Sequence, residues 1–249
     1  MALAVSCQNK KDKLESEIEK LENQDTSASP AGMKQLAGKF SEFAETYPDD
    51  SKSPLYLHKA AIYSYLMEDY KASLDLSKKY LSRYANGKEW QPTVINVART
   101  YGRGLNQPDS ALVYYDLFAE KGELSVADQV DLAAVYSTLG DRANDSLISP
   151  SYWFKAAGAL SAAGAFEGAI TEYLKIADRF PKDAKAPNAL FTAAFLYENE
   201  LDNNEKALEY YKRVAKEYPD NAMGKNAKLY LSKNLVGKTA DEIVEGWEK

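Results

Sequence analysis

Ser151–Asp183 reads SYWFKAAGALSAAGAFEGAITEYLKIADRFPKD, and its spacing of large and small residues decides the fold. Trp153, Ala157 and Leu160 are four and three residues apart, so they share one face of a helix. Phe166 and Tyr173 are seven apart, two helical turns, and share a face of a second helix. Small residues at Ala157 and Ala169 let two helices approach closely, because packing distance depends on the side chains at the contact. Gly164 permits the tight turn between them. Pro181 cannot continue the second helix and ends the unit.

The pattern recurs along the chain. NALFTAAFLYENELDNNEKALEYYKRVAKEYPDN, residues 188–221, repeats it with Leu190, Ala194, Tyr197, Ala207, Tyr211, Val214 and Pro219. One extra residue falls in its Asp202–Asn204 turn. PLYLHKAAIYSYLMEDYKASLDLSKKYLSRY (54–84) is a weaker copy, with Leu57, Ala61, Tyr70, Ser73 and Tyr80, and Ser64 where a large residue is usual. TVINVARTYGRGLNQPDSALVYYDLFAEKG (93–122) offers Val94, Ala98, Tyr101, Ala111, Tyr115 and Phe118. MKQLAGKFSEFAETYPDD (33–50) reads as a lone second helix, and NAMGKNAKLYLSKNL (221–235) as a lone first helix. Self-similarity at such a period marks a repeat architecture. The residues resemble the tetratricopeptide repeat (TPR), and the resemblance covers about residues 31–236. It implies an all-α fold: an α-solenoid of antiparallel helix pairs in a right-handed superhelix.

One segment departs. SVADQVDLAAVYSTLGDRANDSLISP (125–150) has a first-helix pattern in Ala133, Tyr136 and Gly140, but Ser149-Pro150 cuts off any second helix. The array is therefore expected to be irregular near 140–150. Tyr70, Tyr101, Tyr115, Tyr173, Tyr197 and Tyr211 fall on packing positions and read as core.

Composition narrows the function. A net charge of −6 with no long basic run excludes the phosphate neutralisation on which nucleic-acid affinity rests. One cysteine and one histidine cannot build a Cys/His zinc site or an internal disulfide. No apolar run reaches the ~18 residues of a membrane span. Gly102-Arg103-Gly104 lacks the lysine and helix context of a phosphate-binding loop. There is no nucleophile elbow and no HExxH. His58 reads as a surface or groove residue. The expectation is a non-enzymatic chain with no cofactor, no metal and no small-molecule substrate.

The ends read differently. Leu3-Ala4-Val5-Ser6-Cys7 resembles the end of a bacterial lipoprotein signal, with Cys7 as the lipidation candidate. The apolar stretch is shorter than the ~7–15 residues a signal needs, so this reading places the true start upstream. Leu14, Ile18 and Leu21 define one face of a short amphipathic helix, expected to pack on the first repeat. Residues 23–32, NQDTSASPAG, read as a linker. The domain reading is thus 1–30 as signal remnant, tether and linker with the short amphipathic helix, 31–236 as the array, irregular near 140–150, and 237–249 as a capping helix. In that last helix Thr239 and Glu242 form a capping box, and Ile243, Val244 and Trp247 cover the last repeat.

Repeat arrays hold other proteins on their concave surface. In the repeat register, inner-face positions of the first helices are Lys59, Ile62, Asn96, Arg99, Lys155, Thr192 and Phe195, with Tyr65 and Glu198 one turn further. This mixture suits an extended or helical peptide with an apolar anchor and some negative charge. The lysines and asparagines of a carboxylate clamp are missing, so chaperone tails are not expected. The chain is similar to two envelope families, the TPR lipoprotein of the outer-membrane β-barrel assembly machine and the periplasmic TPR coordinator of the Tol–Pal system. The resemblance implies a protein-binding scaffold in envelope assembly or maintenance, facing the periplasm and membrane-held only through lipid on Cys7. The alternatives are a cytoplasmic TPR adaptor or regulator, or an accessory subunit that positions an enzyme's substrate.

Overall fold

The computed structural model describes residues 2–24, 27, 29–143, 145 and 147–238, with side chains from Asn9 onward. Among the described residues there are twelve α-helices and no strand. They form two compact units, Met1–Leu124 and Ser125–Lys249. The first holds α1 (Ala2–Asn23), α2 (Pro30–Thr46), α3 (Ser53–Leu66), α4 (Tyr70–Arg83), α5 (Trp90–Arg99) and α6 (Pro108–Ala119). The second holds α7 (Val126–Ala143), α8 (Ser149–Ala162), α9 (Phe166–Arg179), α10 (Ala186–Asn199), α11 (Asn204–Glu217) and α12 (Ala222–Ser232). Within each unit, consecutive helices pack on one another, as in a TPR solenoid.

Two turns alternate and make the repeat. Inside a helix pair, one residue takes left-handed backbone two positions before the second helix. In the first unit these are Glu68 (φ 62°) and Asn106 (φ 51°); in the second, Gly164 (φ 73°) and Asp202 (φ 48°). The amide after each donates back across the turn, as Ala165 does to the Leu160 carbonyl at 2.9 Å. Between pairs, an aromatic residue leaves the helix: Tyr47 (φ −128°, ψ 60°) and Tyr84 (−125°, 51°) in the first unit, Phe180 (−132°, 59°) and Tyr218 (−127°, 52°) in the second. Three of the four precede proline, which disfavours helical backbone in the residue before it. The ring folds back on the helix core: Phe43–Tyr47 centroids are 5.2 Å apart, Tyr80–Tyr84 5.5 Å, and Trp153–Phe180 5.7 Å. After α12, Asn234 (φ 50°) and the Leu235-to-Tyr230 hydrogen bond of 3.0 Å repeat the turn that opens a second helix. The proposed cap, with Thr239, Glu242, Ile243, Val244 and Trp247, lies outside the described residues.

The structure differs from the sequence reading in three places. First, the short amphipathic helix read within 1–30 is longer than expected, spanning Ala2–Asn23, and the linker read over 23–32 is shorter, because α2 already begins at Pro30 behind an N-cap at Ser29. Leu14 and Ile18 are buried against Leu36, Phe40, Phe43 and Tyr56. Ion pairs Lys11–Asp50, Glu15–Lys52, Glu17–Lys39 and Glu22–Lys59 flank that apolar seam. So α1 supplies the partner that α2 seemed to lack.

Second, the residues read as one array over 31–236 fall into two units that meet at Leu124/Ser125. The segment after α6 has no aromatic–proline turn. Instead it returns onto α5: the Gln91 amide donates to the Lys121 carbonyl at 2.8 Å, and the Lys121 ammonium lies 4.1 Å from the Trp90 ring centre.

Third, α7 stands where a second helix would, although its pattern reads as a first. In the first unit, Glu45 on α2 pairs with Lys79 and Arg83 on α4, one second helix to the next. In the second unit, Asp178 on α9 pairs with Arg213 on α11. Asp141 on α7 reaches Lys175 (3.6 Å) and Arg179 (3.8 Å) on α9 in the same way. A close approach fixes α7 on α8: a Cβ at Gly140 would lie 2.5 Å from Trp153 Nε1.

The first unit carries a polar seam in its core. Asn96 is 2% exposed and donates to Ser73 Oγ and Ser77 Oγ, both at 3.0 Å. His58 Nδ1 lies 2.8 Å from Thr93 Oγ1, whose own proton goes to the Glu89 carbonyl at 2.6 Å. The hydroxyl must therefore accept, so Nδ1 carries the imidazole proton. Burial pushes His58 below its ordinary value of 6.5, opposed by the Glu89 carboxylate. The unfolded chain then takes up a proton first as pH falls, and stability is lost below the ordinary value towards the lowered folded one. Between about pH 7.5 and pH 5, wild type should lose urea resistance relative to His58→Gln. A pH-independent difference between the two would remove His58 from this account.

Candidate partner-binding face

The nine proposed contact residues fare differently. In the first unit, Lys59 is committed within the fold: its ammonium is 2.6 Å from Glu22 of α1 and 5.2 Å from the Phe40 ring centre. Ile62 is half-buried, and half-buried Tyr65 packs on Tyr70 with centroids 5.9 Å apart. Asn96 is not a contact residue. It is buried, and its amide protons are spent on the serines of α4. Arg99 is half-buried at the end of α5. There the helix widens into a π-turn over Thr100–Gly104, closed by Leu105 N–H to the Thr100 carbonyl at 2.9 Å. Gly104 allows it, since a Cβ there would lie 2.6 Å from the Tyr70 ring.

In the second unit the first-helix surface is open. Phe195 on α10 is 43% exposed, although it is a large aromatic in a helix whose other side is core. Thr192, one turn before it, is half-exposed with its hydroxyl 3.2 Å from Asn188 Oδ1. Lys155 on α8 is exposed, with its ammonium 5.4 Å from the Tyr136 ring centre. Glu198 does not belong to the face: its carboxylate accepts the Tyr211 hydroxyl and the Gly237 amide, both at 2.9 Å. Those bonds join α11 and the exit from α12 to α10, and Tyr211 is pushed above the ordinary phenol value by burial and by that carboxylate.

The structure adds residues the sequence reading missed. One repeat before Phe195, its register equivalent on α8 is Gly158, where a Cβ would meet nothing within 4 Å. One repeat after it, α12 presents Lys225 and Lys228, both exposed. α10 and α12 touch directly. The exposed ridge from α8 to α12 thus pairs one aromatic with three lysines and carries no carboxylate at the equivalent positions.

Residues 188–221 match the tetratricopeptide repeat family. They are α10 with its turn and α11, and they carry Thr192, Phe195 and Glu198. A solved structure that is similar is YrrB, described as a TPR protein with an unusual peptide-binding site. It shares 19% identity, with 81% of this chain and 86% of that chain covered and a TM-score of 0.33. No curated protein matches the chain.

Among the described residues, no group of three or more His, Cys, Asp or Glu side chains could hold a metal ion. No described helix is long and apolar enough to cross a membrane. Cys7 lies within α1, four residues before Lys11.

Proposed function

We propose that the protein is a non-enzymatic docking module. The first-helix face of residues 125–238 holds a segment of another protein, extended or helical, with one large apolar side chain and neighbouring carboxylates. Phe195 carries this reading. An aromatic left 43% exposed in a helix with a buried opposite face is the kind of anchor that dominates interface energetics, and Lys155, Lys225 and Lys228 supply the complementary charge. Phe195→Ala should weaken capture of the native partner by ~1–3 kcal/mol and leave the melting temperature unchanged. Lys212→Ala, exposed on α11, is the control. Loss of capture with Lys212→Ala alone would move the site to the outer face.

The place of action we propose is the bacterial envelope, in its assembly or maintenance, with the chain held by lipid on Cys7. The motif around Cys7 supports this. The alternative is a cytoplasmic adaptor in which Cys7, a residue of α1, stays unmodified. Mass spectrometry of the native chain decides between them. Diacylglycerol on Cys7 is the result expected, and a free thiol would leave the cytoplasmic reading.

A further inference from the structure

In the second unit, α12 and the turn after it are basic throughout. Residues 222–238 carry Lys225, Lys228, Lys233 and Lys238 and no carboxylate. All four lysines are exposed. Lys228 donates to the Pro219 carbonyl at 3.2 Å, a bond that leaves its charge unmatched. The adjoining α10 adds one carboxylate, Glu198, whose oxygens are turned onto two neutral donors, the Tyr211 hydroxyl and the Gly237 amide. Of the acids just ahead of α12, Glu217 pairs with Arg213 at 2.7 Å, and Asp220 stands before the N-cap, Asn221. Phe195 on α10 is 43% exposed next to this surplus of positive charge.

The sequence that follows has the opposite character. Residues 239–249, TADEIVEGWEK, hold Asp241, Glu242, Glu245 and Glu248 against the single Lys249. Their one aromatic, Trp247, has Glu245 and Glu248 on either side. That is the chemistry the docking face asks of a ligand: one large apolar side chain with neighbouring carboxylates. Position agrees with charge. The Gly237 amide is bonded to Glu198, which lies three residues, about 4.5 Å along α10, from Phe195. Trp247 is ten residues beyond Gly237, a length that spans about 15 Å as a helix and about 33 Å extended. Phe195 is within reach of Trp247 in either form.

We propose that residues 239–249 occupy the docking face in cis, with Trp247 on Phe195 and the carboxylates among Lys225 and Lys228, so that a partner must displace them to bind. The proposal rests on the docking face argued above and adds its regulation. A segment tethered at Gly237 has an effective concentration on the order of millimolar, which the same segment of a second copy does not match. It therefore excludes weak ligands and yields to one that binds more tightly. Exposed ion pairs contribute only ~0–1 kcal/mol each, so the aromatic contact supplies the anchor and the lysines select for acidic flanks.

The test uses the full chain and a fluorescein-labelled peptide of the segment itself, Thr-Ala-Asp-Glu-Ile-Val-Glu-Gly-Trp-Glu-Lys, read by anisotropy. Trp247→Ser removes the anchor from the tethered copy and should leave the melting temperature unchanged. The peptide should bind this variant saturably and at least about tenfold tighter than wild type, where the tethered copy competes. Phe195→Ala or Lys225→Glu, added to Trp247→Ser, should each weaken the peptide about tenfold or more. Equal binding to wild type and Trp247→Ser, lost with Phe195→Ala, would overturn occupation in cis and leave the docking face standing. A lower melting temperature for Trp247→Ser, or peptide binding insensitive to Phe195→Ala, would also overturn it, by placing the segment as the cap of the last repeat. Failure of the peptide to saturate either chain below about 1 mM would overturn it too, and capture of the native partner would still decide the docking face separately.

Discussion

Trp153→Ala destabilises the unit formed by residues 125–249 by ~3–5 kcal/mol, measured as the shift in its urea unfolding free energy. Trp153 is fully buried and serves three helices. On the α7 side its ring lies against Gly140, and its N–H donates to Asp141 at 3.1 Å. On the α9 side it meets Phe180 and Arg179. Truncation leaves a cavity that α7 cannot fill, because α7 is placed by that same ring. Trp153→Phe keeps most of the volume and loses the hydrogen bond, so it should cost only about 1–2 kcal/mol. Equal effects of the two changes would mean that the polar contact, not the packing, holds α7.

Phe40→Ala costs the first unit a similar ~3–5 kcal/mol, and it acts through α1. Phe40 is fully buried, with Tyr56 at 4.8 Å and Tyr63 at 6.1 Å between ring centres. Leu14 and Ile18 dock into that cluster. The surrounding ion pairs are partly exposed, and such pairs contribute ~0–1 kcal/mol each. The apolar seam is therefore what keeps α1 in place. Hydrogen exchange should show amides 14–22 losing protection before those of α3. If α1 stayed protected while the rest of the unit weakened, the ion pairs would be its main attachment.

The repeat was legible because its determinants are local. Gly164 announces a left-handed turn and takes one. Pro181 and Pro219 disfavour helical geometry in the preceding aromatic, so those two boundaries are written in adjacent residues. The stretch 188–221 could be delimited from spacing alone. What was not legible depends on residues distant in sequence. Nothing around Asn96 says that Ser73 and Ser77 will surround its amide, so a polar residue in a first helix looked like surface. Glu198 looked available because its partners, Tyr211 and Gly237, are 13 and 39 residues away. α7 misled because Ala133, Tyr136 and Gly140 fit either helix of a pair. Only the reach of Asp141 to α9 shows which one it is. The exposure of Phe195 was legible for a physical reason: its register position is turned away from the core, and the side chain is 43% exposed.

Photocrosslinking from position 195 tests the central claim most directly. Phe195 is replaced by p-benzoylphenylalanine, a near-isosteric aromatic, and the chain is irradiated in its native cell beside the same replacement at Lys212. The account predicts one discrete protein adduct from position 195 and none from position 212. An adduct from position 212 with none from 195 would contradict it and put the partner on the outer face.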